Sequence, residues 1–63
     1  MMNEVATIKF KDVETSNEVV AIIRRDDSST AICLSVRGGS DIEVVMSKTD
    51  TRALIEALRT AVI

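Results

Sequence analysis

Residues 31–46, AICLSVRGGSDIEVVM, decide the fold. Ile32, Leu34 and Val36 alternate with Ala31, Cys33, Ser35 and Arg37, and beyond the two glycines Ile42, Val44 and Met46 alternate with Glu43 and Val45. A period of two puts successive side chains on opposite faces of an extended strand, so both runs read as strands with one apolar face. Cross-strand partners share a face, and the core positions of both runs are even-numbered, so the pairing sum must be even. A three-residue Gly38-Gly39-Ser40 loop satisfies this. It sets Arg37 beside Asp41, Cys33 beside Val45 and Leu34 beside Val44, with a glycine free to take a positive φ.

Working outward, residues 19–23, VVAII, are apolar at every position, as expected of a strand covered on both faces. Residues 6–10 alternate again, with Ala6, Ile8 and Phe10 on one face and Val5, Thr7 and Lys9 on the other. Polar clusters at 11–18, 26–29 and 38–41 separate these runs. The cluster Asp26-Asp27-Ser28-Ser29 lacks the Asn-Gly or Asp-Gly pair of a tight hairpin and reads as a three- to five-residue loop with Asx-type side-chain bonds.

Past Met46 the period changes. Ser47 is placed to cap the amide of Asp50, whose carboxylate suits the positive end of a helix. Leu54, Ile55, Leu58, Ala61 and Val62 recur at spacings of three and four, with Arg52, Glu56 and Arg59 mainly opposite. The chain therefore reads as one α+β domain spanning residues 1–63. It is a four-stranded antiparallel meander followed by a C-terminal helix (ββββα), with the helix packed on the face bearing Ile8, Phe10, Ile22, Ile32, Leu34, Val36, Ile42, Val44 and Met46.

Size makes such a domain marginal. At 63 residues and 6.9 kDa, folding would take the chain from roughly 10,000 Å² of exposed surface to roughly 4,000 Å². The apolar gain, roughly 90 kcal/mol, then nearly cancels roughly 95 kcal/mol of ordering entropy. One Cys and no His remove disulfide and Cys/His zinc staples, which leaves self-association.

Composition also excludes functions. With no His or Tyr and no paired carboxylates on one element there is no general acid/base set, and Cys33 has no base to activate it. The two-glycine loop leads into a strand, whereas a phosphate-cradling loop leads into a helix. The expectation is a non-enzymatic protein without metal or cofactor. A net charge of −2 draws the whole molecule to neither nucleic acid nor anionic lipid. The lack of a long apolar stretch or a secretory leader pattern points to the cytoplasm, with no membrane partner.

The face turned away from the expected helix carries small apolar residues at its centre and basic ones at its ends. Val19, Ala21, Ile23, Cys33 and Val45 together form a patch that soluble monomers rarely expose, and read as a homodimer interface. Lys9, Arg25 and Arg37, with Lys11 and Arg24 nearby, form a candidate rim for an anionic ligand. The expected function is a small binding module that self-associates and docks onto a protein partner, as inhibitor, neutraliser or small regulatory subunit. The alternative is a homo-oligomer that holds a phosphate-bearing ligand, a nucleotide or single-stranded nucleic acid, on the basic rim. In order of elements the chain resembles the dimeric single-strand-binding domains of a transcription coactivator family, whose sheets bind through basic and aromatic side chains. The resemblance implies architecture; here the one aromatic, Phe10, falls at a core position.

Overall fold

A computed structural model describes residues 2–63. Strands β1 (Asn3–Lys11), β2 (Glu18–Arg25), β3 (Ser29–Val36) and β4 (Asp41–Ser47) form one antiparallel sheet in the order β1-β2-β3-β4, followed by helix α1 (Lys48–Val62). The order of elements is the expected ββββα. Val, Ile and Thr dominate the strands because branched side chains suit a pleated surface.

Two turns are built by an aspartate side chain and the third by glycine backbone. Asp12 organises loop 12–17: its Oδ1 accepts from the amides of Glu14 and Thr15 at 2.8 and 3.3 Å, and Ser16 takes a φ of 64°. Asp26 closes loop 26–29 by accepting from the amides of Ser28 and Ser29 and from the Ser29 hydroxyl at 2.8–2.9 Å, the expected Asx-type bonds. In the last turn the Gly39 amide donates to the Val36 carbonyl at 2.9 Å, and Gly38 has φ 78°. A positive φ at the third position of a four-residue turn is the type II requirement, met at no steric cost by glycine.

That turn corrects the expected register. Ser35 pairs with Asp41, Cys33 with Glu43 and Leu34 with Ile42, two residues from the Arg37–Asp41, Cys33–Val45 and Leu34–Val44 pairing. The connection spans 36–40 because the type II turn starts at Val36. The sum stays even, so the faces of β3 and β4 are unchanged.

The face of β2 is also corrected. Ala21 lies between Ile8 and Leu34, Val19 between Phe10 and Val36, and Ile23 between Ala6 and Ile32. Its odd residues therefore share a face with the even residues of the other strands, and Ile22 leaves the expected core for the opposite face. The cause is loop 26–29. Four residues between paired Arg25 and Thr30 make the pairing sum odd, whereas three or five would make it even. A strand apolar on both sides cannot resist either choice.

The helix starts as expected: Ser47 Oγ accepts from the Asp50 amide at 3.1 Å. Its packing is different from expectation. It touches β3 and β4 among the described elements but buries none of its residues. No residue separates β4 from α1, since Ser47 ends one and Lys48 begins the other. The Ser47 cap and the Thr51 hydroxyl on the Ser47 carbonyl at 2.7 Å close its first turn, and the Lys48 ammonium on the Ser29 carbonyl at 3.1 Å ties it to β3.

Candidate functional site: the apolar sheet face

The sheet has two unlike faces. One carries Ala6, Ile8 and Phe10 from β1, Val19, Ala21 and Ile23 from β2, Ile32, Leu34 and Val36 from β3, and Ile42, Val44 and Met46 from β4. Apart from Arg25 at one end, no charge interrupts it. Val19 and Ala21 are buried at its centre, but Ile8, Phe10, Leu34, Ile42 and Val44 are all exposed.

The other face is covered at its centre from within, while Val45 at the β4 edge stays exposed. Its small centre, Val20, Ile22, Ala31 and Cys33, is flanked by Thr7, Lys9, Arg24, Ser35, Asp41 and Glu43. Arg24 on β2 reaches Glu43 on β4 at 2.7 Å, and with β3 between them the pair must span that strand. Ala31 permits this, since its side chain is short, and it is 0% exposed. Ser35 Oγ donates to Asp41 at 2.7 Å, and Arg37 pairs with Glu18 at 3.3 Å.

The residues singled out in the sequence are distributed accordingly. Val19, Ala21 and Ile23 lie on the apolar face, whereas Cys33 and Val45 lie on the polar one. The five do not form a single patch. The apolar surface is instead larger, joining the β2 residues to the side chains assigned to a helix-covered core.

The basic trio is also divided. Lys9, Lys11 and Arg37 share one corner of the polar face, where β2 separates Arg37 from the lysines and Glu18 lies between Lys11 and Arg37. A shallow depression of about 420 Å³ is lined there by Lys9, Phe10, Lys11, Glu18 and Val20. Arg25 is on the opposite face, and five residues along the strand from Val20, about 17 Å. It cannot join them on one ligand.

Asp26 has a clear electrostatic signature. The amide of Ser28, the hydroxyl and amide of Ser29 and the hydroxyl of Ser28 stabilise its carboxylate and lower its pKa from 3.8 to about 2. All four donors belong to the turn itself, so the group shapes a loop and offers no proton for chemistry. Cys33 is a half-buried free thiol. Among the described residues no cluster of three or more metal-ligating side chains occurs, and no helix is long and apolar enough to cross a membrane.

The helix contributes a second apolar surface that sequence reading assigned to an intramolecular core. Leu54, Ile55, Leu58 and Val62 remain exposed on α1. The signal for both surfaces was present in the periodicity, but periodicity shows which side chains need cover and is silent on what supplies it. Comparison with family models, with curated proteins and with solved structures gave no match.

Proposed function

We propose that this protein is a small, non-catalytic binding module of the cytoplasm that self-associates through its apolar sheet face and acts by docking onto a protein partner, as an inhibitor, neutraliser or small regulatory subunit. The observation that carries the reading is the continuous apolar face, exposed from Ile8 on β1 to Val44 on β4. Soluble monomers seldom leave so extended an apolar surface in water.

Self-association would leave the outer edges of β1 and β4 for a partner. An unpaired edge presents backbone donors and acceptors that another chain can extend as an added strand. Val5, displaced by the bulge between Glu4 and Ala6, marks the β1 edge. The absence of His from the chain and the turn-forming role of Asp26 support a non-catalytic reading, and the unpaired Cys33 suits a reducing compartment.

The phosphate-ligand alternative is weaker, because Arg25 lies across the sheet from Lys9 and Arg37, and Arg37 already has Glu18 as partner. Native mass spectrometry at micromolar concentration tests the primary reading, which expects assemblies heavier than one chain. A folded 6.9 kDa species throughout that range overturns it. Rapid labelling of Cys33 by a thiol reagent in the native protein at neutral pH would instead argue for a reactive centre.

A further inference from the structure

We infer that α1 of one protomer packs on the apolar sheet face of a second copy of this chain, and that the second copy returns its own helix in the same way. The inference rests on the self-association proposed above and specifies its geometry.

The single chain exposes 5079 Å², whereas a folded monomer of this mass exposes about 4,000 Å². The excess of about 1,000 Å² is comparable to the roughly 800 Å² that each partner contributes to a standard stable interface. The radius of gyration agrees, at 12.7 Å against about 10.6 Å for a compact chain of this length.

A helix that folds back over the sheet it leaves needs a few residues to turn, typically two to six. Here β4 runs into α1 with none. Reversal would have to break the Lys48–Ser29 bond, which ties the first residue of the helix to β3. The chain thus carries a helix that lacks a sheet and a sheet face that lacks a helix.

Fifteen residues of helix extend about 22 Å, and strands of eight residues extend about 27 Å. The stripe of Leu54, Ile55, Leu58 and Val62 matches a single apolar face in length and chemistry. A two-fold axis makes the exchange reciprocal and closed, so both exposed surfaces are covered by one kind of contact. Packing sheet on sheet would cover the strands and leave both helical stripes in water.

The test uses the unaltered chain. Protein labelled with ¹³C is mixed with an equal amount of unlabelled protein, unfolded and refolded together, and isotope-filtered nuclear Overhauser contacts are recorded between protomers. Contacts between protomers are expected from methyls of Leu54 and Leu58 to those of Ile8, Leu34 and Ile42. An assembly in which these contacts occur only within one protomer, or in which protomers meet only sheet to sheet, overturns helix exchange while leaving self-association intact. A folded monomer with no contact between protomers overturns both.

Discussion

The two faces of this sheet are made by the same four strands and finish in opposite conditions. On the polar face the Arg24–Glu43 pair spans β3 and shields Ala31, and Glu18 with its Arg37 partner and Asp41 with the Ser35 hydroxyl occupy one corner. On the apolar face no ion pair among the described residues reaches across, and the branched side chains of β1 and β4 remain exposed. A single layer can therefore satisfy its polar side from within, while its apolar side requires a second layer.

One isoleucine and one valine of β4 offer the sharpest way to break this contrast. Ile42 and Val45 are each 58% exposed in the single chain but lie on opposite faces. If exposure in one chain were the whole account, a charge at either would change stability by no more than about 0.5 kcal/mol. With the apolar face covered in the assembly, Ile42→Asp buries an unpaired charge and costs about 3–5 kcal/mol, enough to dissociate or unfold so small a domain. Val45→Lys is expected to change little. Light scattering and urea unfolding of both variants check this, and equal behaviour would remove the distinction between the faces.

Leu58→Ala extends the comparison to α1. Leu58 is another side chain more exposed than buried in the single chain. Covered by a partner, its truncation costs about 2–5 kcal/mol; in water it costs little beyond helix propensity. The expected result is a loss in that range, with a melting temperature that falls on dilution, as it does whenever association supplies stability. A wild-type melting temperature independent of concentration would count against it.

The contrast also marks where sequence reading stopped. Strand positions, the Asp26 loop and the Ser47 cap were legible because each depends on neighbours within a few residues. The face of β2 was not, because VVAII fits either way and the choice was made by the parity of a loop whose sequence permits three, four or five residues. The β3–β4 register moved by two for a related reason: two adjacent glycines permit more than one turn, and even parity does not choose between them. Apolar residues of the candidate site were identified, but their grouping depended on that parity, and Arg25 moved across the sheet with its strand. The helical stripe was legible as a surface needing cover, while the copy that covers it is not encoded in periodicity.

On the polar face smaller effects are expected. The Arg24–Glu43 pair is partly exposed, at 38% and 46% for the two side chains, and a double-mutant cycle with Arg24→Ala and Glu43→Ala should return a coupling of about 0.2–1 kcal/mol that weakens with salt. Neither substitution should dissociate the assembly. Dissociation by either would place the interface on the wrong face.

The finest test concerns the loop that decides which residues of β2 face which way. Asp26 is held as a carboxylate by Ser28 and Ser29, with its pKa lowered from 3.8 to about 2. A group whose pKa is depressed by folding adds stability above its unfolded value and loses that contribution as pH falls through the folded one. Wild-type stability should therefore carry an Asp26 contribution that is complete above about pH 4 and fades as pH approaches about 2. Asp26→Asn keeps an acceptor oxygen for the turn while removing the charge, so its stability should lack this part of the acid slope. The difference between the two curves, measured by urea unfolding from pH 6 to pH 2, should shrink steadily below pH 4. Self-association should persist in the variant at neutral pH, because the loop keeps its length and Val19, Ala21 and Ile23 keep their face. A constant difference across the acid range would show that the turn is held by shape alone, with no part played by the ionised carboxylate.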